Sequence, residues 1–100
     1  IGFGAILIGY FKNDTFHYAG KIGTGFDDKT LKDLHKKMKK HEIDKNPFKE
    51  KIKEKDVHFV KPKIVVEAEF TEWTKDHKLR HPRYKGLRID KKPKEITRET

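Results

Sequence analysis

Apolar residues in this chain fall into short runs with a strand's two-residue alternation, and one stretch alone carries helical spacing. Residues 2–11 read as a first strand, with Phe3, Ala5, Leu7, Gly9 and Phe11 on one face and Gly4, Ile6, Ile8 and Tyr10 on the other. A half-solvated strand would alternate apolar with polar, so the second face of this one is expected to be covered too. The chain starts at Ile1, without an initiator Met or the basic-then-apolar shape of a signal peptide, and so reads as a piece of a longer one. Ile6, Ile8 and Tyr10 are then expected to form an exposed apolar patch once covered by a neighbouring domain. Asn13-Asp14 is a turn, and Phe16 to Ile22 returns with Phe16, Tyr18 and Ile22 inward and His17, Ala19 and Lys21 outward. Asp27 or Asp28 caps a helix running to about Met38–His41, with Leu31, Leu34 and Met38 on its core side. Lys36, Lys37, Lys39 and Lys40 stand at its C-terminal end, where cations suit the dipole.

The second half is more polar. Residues 42–56 read as a loop with one apolar anchor, Phe48, and Val57 to Val60 as a short strand stopped by Pro62. Ile64 to Trp73 is the longest expected strand, with Val66, Ala68 and Phe70 toward the core and Glu67 and Glu69 outward. Asp76-His77 makes a hairpin, Lys78 to Arg80 and Tyr84 to Ile89 complete the sheet, and residues 92–100 are a polar tail expected to fray. With 33% hydrophobic and 41% charged residues in 100, one domain with a small core is all the chain can build. These features point to an all-β fold with one helix. The expected architecture is a five-stranded Greek-key barrel of the oligonucleotide-binding type over residues 1–91, the helix lying between the second and third strand region and the later strands.

Charge narrows the partners. An excess of 25 Lys+Arg over 16 Asp+Glu gives a formal net charge of +9, which favours polyanions, nucleic acid first. A lysine-rich solvated surface of the thermophile kind is the competing explanation. The chain has no cysteine, which excludes disulfides and thiolate metal sites and fits a reducing cytoplasm. No apolar run approaches the ~18 residues of a membrane span.

Several constellations suggest chemistry that the spacing does not support. Gly20-Lys21-Ile22-Gly23-Thr24-Gly25 lacks the Lys-Ser/Thr of a phosphate loop, and Asp28 stands where a dinucleotide fingerprint needs its third glycine. A bulge and a tight turn explain these glycines better, with Lys21 left as a candidate contact for a DNA phosphate. His17, His35, His41, His58, His77 and His81 show no metal-ligand spacing. Glu67, Glu69 and Glu72 suit cross-strand pairing with lysines better than acid–base work, and Trp73 and Tyr84 suit packing better than base stacking.

The closing segment, Leu79-Arg80-His81-Pro82-Arg83-Tyr84-Lys85-Gly86-Leu87-Arg88-Ile89-Asp90-Lys91, is different. Arg88-Ile89-Asp90-Lys91 resembles the last motif of the covalent nucleotidyltransferases. Read by residue type alone, these four residues suit a solvated basic hairpin better. Together with Ala19-Gly20-Lys21-Ile22-Gly23-Thr24-Gly25-Phe26 and Phe70-Thr71-Glu72-Trp73-Thr74, it resembles the C-terminal domain of ATP-dependent DNA ligases of the ligase D type, which serve non-homologous end joining. The resemblance runs from about Gly2 to about Ile96. It implies that Arg88 and Lys91 approach the β- and γ-phosphates of ATP during enzyme adenylation. Asp90 would hold the arginine or help organise a metal–pyrophosphate group, and Arg83 is the motif's other basic position. It further implies ATP and Mg²⁺ or Mn²⁺ as cofactors of the whole enzyme, with no metal site in this chain. Implied partners are duplex DNA with a nick or strand break, a nucleotidyltransferase domain of the same chain, and an end-binding repair protein, in the cytoplasm at the nucleoid. Lys21, Arg80, Arg83 and Lys85 are the candidate DNA contacts. The domain is expected to swivel, showing the motif to ATP and another face to the duplex.

No Lys-x-Asp-Gly motif occurs, since neither Lys55-Asp56 nor Lys75-Asp76 continues that way, so these residues alone are not expected to form a lysyl-AMP. Two alternatives stay open: a stand-alone nucleic-acid-binding barrel, and the corresponding domain of an RNA ligase or capping enzyme.

Overall fold

Asn13 and Asp14 take positive φ of 51° and 63°, which short polar side chains tolerate, and the tight turn they make sets the first hairpin. In the computed structural model, which describes residues 4–96, β1 (Ile6–Lys12) pairs antiparallel with β2 (Thr15–Ile22). Phe3 of the expected first strand and residues 97–100 of the expected tail lie outside the described residues. A second hairpin-like pair joins β5 (Val66–Glu69) to β8 (Arg83–Leu87), and the short pairs β3 (Glu42–Ile43) with β4 (Phe59–Val60) and β6 (Glu72–Trp73) with β7 (Leu79–Arg80) complete the ladders. The single α-helix, α1, spans Asp28–Lys39, and Asp27 is its cap, accepting from the Thr30 amide at 2.7 Å. That bond holds the Asp27 carboxyl below the usual carboxylate range.

The chain is therefore mostly strands with one helix, as expected, but the described ladders are four separate antiparallel pairs rather than one closed five-stranded sheet. The expected long strand from Ile64 to Trp73 is broken into β5 and β6, so that β6 can turn back on β7. Phe70, placed inward by alternation, stands at the break and is 37% exposed.

The core is built where the two long pairs and the helix meet. Ile6, Ile22, Leu34 and Tyr84 form its centre, and Ile8, Phe26, Met38, Ile64, Val66, Ala68 and Leu87 pack around it. This overturns the expected exposed patch: Ile6 and Tyr10 are buried and Ile8 lies against the core. The face of β1 assigned to a missing domain is the one that faces α1 and β8. Tyr10 is covered within the domain by the edge of Trp73, at 5.6 Å between ring centroids.

Each long pair contains a bulge. Gly9 pairs with Tyr18 while Ile8 pairs with Gly20, leaving Ala19 as the extra residue; Ala68 pairs with Tyr84 while Glu67 pairs with Gly86, leaving Lys85. In both, the next residue is a glycine with positive φ, 128° at Gly20 and 157° at Gly86. An extra residue shifts the alternation by one. Ala19, expected outward, is accordingly buried, and Tyr18, expected inward, lies under the loop that follows α1.

That loop is pinned to β2. Phe48 stacks on Phe16 at 4.7 Å, and Glu50 accepts from the Tyr18 amide at 2.8 Å while its other oxygen meets His17 Nδ1 at 2.9 Å. Tyr18 in turn donates its hydroxyl to Glu54 at 3.1 Å; burial, with the Glu54 carboxylate beside it, pushes that phenol up to about 12. Burial also pushes the Glu50 carboxyl up, but the Tyr18 amide and the His17 ring overcome this and hold it below its ordinary value. A carboxyl depressed in the folded state stabilises above its unfolded pKa, and that contribution is lost as pH falls through the folded one. Exchange of the Tyr18 amide, corrected for intrinsic rate, is therefore expected to accelerate as pH falls below the ordinary glutamate range, whereas Glu50→Ala is expected to make it fast at every pH.

Residues 92–96 are also tied down, where the expected tail was to fray. Pro93–Glu95 forms a 3-10 turn, and the Phe11 amide donates to the Ile96 carbonyl at 2.9 Å.

Candidate nucleotide and nucleic-acid interface

Arg83 and Arg88 are five apart, an odd spacing that puts two residues of a regular strand on opposite faces. The Lys85–Gly86 bulge adds one residue and cancels the mismatch. Tyr84 and Leu87 both turn into the core, and Arg83 and Arg88 both turn away from it. Just beyond β8, the Arg88 amide donates to the Val65 carbonyl at 2.8 Å, which fixes its backbone against the start of β5.

The Arg88 guanidinium is held in a fork. Its Nε donates to Asp90 Oδ1 at 3.1 Å and its Nη2 to Asp90 Oδ2 at 3.0 Å, a two-bond geometry that lysine cannot make. Nη1 lies 3.9 Å from Glu67 Oε1 on β5. The bonds from Arg88 hold the Asp90 carboxyl below its usual range. Lys91 follows, exposed, and Ile89 between them is 93% exposed. The structure thus brings Arg88, Asp90 and Glu67 together. Glu67 had been assigned to lysine pairing. Its partner was hidden from the sequence because the bulge decides which residue of β8 lies diagonally across from it.

The candidate DNA contacts lie on three strands. Lys21 is exposed on β2 opposite Leu7, and Arg83 is exposed on β8 opposite Glu69. Lys85 is the exposed extra residue of the bulge. Arg80, on β7, is not an unengaged cation, because its Nε bonds Glu72 Oε2 at 2.7 Å across the β6–β7 ladder. Trp73 packs against Tyr10 and Phe70, and Tyr84 lies in the core.

The glycine run has a packing role. A Cβ on Gly25, where φ is 95°, would fall 2.3 Å from the Tyr84 carbonyl oxygen and 2.7 Å from its nitrogen. Thr24 accepts from the Tyr84 amide at 2.9 Å, and Phe26 stacks on the Tyr84 ring at 4.7 Å. The run lays the end of β2 directly on β8, which is why it need not cradle a phosphate.

Chemically, the site offers fixed N–H donors and a point charge, which fit the phosphate oxygens of a nucleotide tail. Both Asp90 oxygens accept from Arg88. Among the described residues no three His, Asp or Glu side chains come together as a metal cage.

A family model described as the ATP dependent DNA ligase C terminal region matches residues 1–91. The chain is 35% identical to the multifunctional non-homologous end joining protein LigD of Mycobacterium bovis over 98% of its own length and 13% of that protein's. It is 37% identical to the Mycolicibacterium smegmatis protein of that name, again over 98% of this chain and 13% of the relative. A DNA ligase 2 of Korarchaeum cryptofilum is 33% identical over 97% of this chain and 19% of the relative. The crystal structure of the ligase domain of M. tuberculosis LigD superposes with a TM-score of 0.91 at 34% identity, covering 96% of this chain and 32% of that one. A mycobacterial DNA ligase D complexed with ATP and MES gives 0.87 at 34% identity, covering 96% and 33%. The chain thus spans under a fifth of these curated relatives and about a third of the solved chains.

Proposed function

Since this chain belongs to the family of the C-terminal region of ATP-dependent DNA ligases, we propose that Arg88, Asp90 and Lys91 orient the ATP triphosphate while an enzyme lysine takes up AMP. We read the basic surface around them as the face that later meets duplex DNA. The observation that carries this reading is the bulge-set pairing of Arg83 with Arg88 on one outward face, with Arg88 locked into a fork by Asp90. A guanidinium already held in one plane loses little freedom when it binds a planar pair of oxygens. Arg88 and Lys91 would take the β- and γ-phosphates, and a divalent ion would supply charge neutralisation there.

Lys21, Arg80, Arg83 and Lys85 are proposed contacts for the phosphate backbone of a nicked or broken duplex, without base readout. Other domains of the same chain and an end-binding repair protein complete the partners, and on this reading the protein acts in the cytoplasm, at the nucleoid. We also read residues 1–91 as a five-stranded Greek-key barrel whose ladders are joined by single bonds. The Tyr84–Thr24 and Arg88–Val65 backbone bonds support this, since they bridge β2 to β8 and extend the β5–β8 pair. The domain swivels between ATP and DNA.

An ATP analogue with a photoreactive group on its γ-phosphate tests the assignment in an enzyme that contains this chain. Label is expected on residues 88–91 before DNA is added and lost from them once the enzyme is adenylated and holds nicked duplex. Label that never falls on these residues overturns it.

A further inference from the structure

We propose that the solvent face of α1 is a second contact for duplex DNA, made to consecutive phosphates and distinct from the motif on β8. This rests on the reading of the domain as DNA-facing and extends its footprint. Between Asp28 and Lys40 there are six lysines and two aspartates. Lys29, Lys32, Lys36 and Lys40 recur at spacings of three and four, which lines them up on one side of the helix. Leu34 and Met38 fix the opposite side to the core, so the lysine stripe points straight into solvent. At 1.5 Å per residue it runs about 16 Å, and a DNA strand carries a phosphate about every 3.4 Å along the axis, so the stripe matches about five base steps.

Lys36 and Lys40 suit the negative end of the helix dipole, but helix stability does not account for the whole stripe. Lys29 and Lys32 stand in the half of α1 where the dipole presents its positive end, and cations there are unfavourable. Lys32 with Lys36, and Lys36 with Lys40, are like-charge pairs one turn apart. Among the described residues none of the six lysines on this helix and its cap forms a salt bridge, and neither does Asp33 at the edge of the stripe, although Lys29 helps to lower the Asp27 carboxyl. A face serving solubility alone could interleave signs and avoid this repulsion. A bound polyanion relieves it.

The flank of α1 beside the stripe meets the basic surface of β8. Lys37, Thr30 and Asp33 line a shallow groove with Lys85 and Gly86. Gly25, packed on the Tyr84 backbone, brings the start of α1 against that strand.

The test compares this chain with its Lys29→Gln/Lys32→Gln/Lys36→Gln/Lys40→Gln variant, titrating both onto one nicked duplex over a range of salt. The slope of log affinity against log salt is expected to become shallower by about 0.9 for each lysine that touches a phosphate, with affinity down on the order of tenfold or more at low salt. The free variant is expected to melt at a higher temperature, because four mutually repelling charges are gone. An unchanged slope with unaltered binding overturns the helix contact while leaving the rest of the DNA reading standing. If the variant loses affinity for poly-glutamate but not for the duplex, the face belongs to an acidic protein and the proposal fails. If the unaltered chain does not bind the duplex at all, the DNA reading of the whole domain falls with it.

Discussion

Arg88→Ala, in an enzyme that contains this chain, is expected to slow transfer of AMP from ATP to the enzyme by on the order of 10²-fold or more, the usual cost of one donor aimed at developing charge. Negative charge builds on the leaving pyrophosphate as the enzyme's lysine nitrogen attacks the α-phosphorus, and a fixed guanidinium stabilises it there. Lys91→Ala is expected to act in the same direction. Once AMP has passed to the 5′-phosphate of the nick, no pyrophosphate remains to be held, so both variants are expected to seal a nick supplied already adenylated at close to the normal rate. The fold is expected to survive, because the Arg88 side chain is 38% exposed and its anchoring bond to Val65 is made by the backbone. Lys21→Ala is expected to give the mirror image, with normal adenylation and weakened nick binding. Arg88 and Lys91 variants that adenylate normally but fail on adenylated nicks would identify these residues as DNA clamps.

Gly25→Ala is expected to have the largest effect on stability of any single methyl group added to this chain's glycines near β8. The new carbon would overlap backbone atoms of Tyr84, which cannot rotate away, and φ of 95° is unfavourable for any side chain. Strain and overpacking together put the loss at roughly 3 kcal/mol or more, about a hundredfold in the folded-to-unfolded ratio. Gly86→Ala is the control: its φ is also positive but nothing lies within 4 Å of the added carbon, so a smaller loss is expected. Denaturant midpoints of the two variants check the order. Equal midpoints would mean that the end of β2 does not need its close seat on β8.

The sequence made legible whatever depends on local chemistry. Asp27 as helix cap, the Asn13-Asp14 turn and the inward Leu34 follow from side-chain preference and period, and all are present. Phe48 was readable as the anchor of its loop because it is an isolated aromatic in a charged stretch. What was not legible follows from the bulges. Alternation assigns faces only while the ladder is regular, so every assignment on the far side of Ala19 or Lys85 was exposed to inversion, and Tyr18 and Ala19 were in fact misplaced. The apolar second face of β1 was misread for a different reason. It pointed to a missing partner because nothing local reveals that α1 and β8, distant in sequence, both fold onto it. Arg88, Asp90 and Lys91 were found by resemblance, whereas Glu67 beside Arg88 needed the three-dimensional register.

The extra residue in β8 gives the motif a property that no substitution experiment would reveal. Side-chain identities between Tyr84 and Arg88 can drift at modest cost, but the number of residues between them acts as a phase. Removing Lys85 would take out the bulge and leave Arg83 and Arg88 four apart on an even ladder, still on one face, with Tyr84 and Leu87 still turned inward. A second residue lost there would exchange the charged and apolar faces beyond the gap, although the same loss in the loop after α1 would merely shorten it.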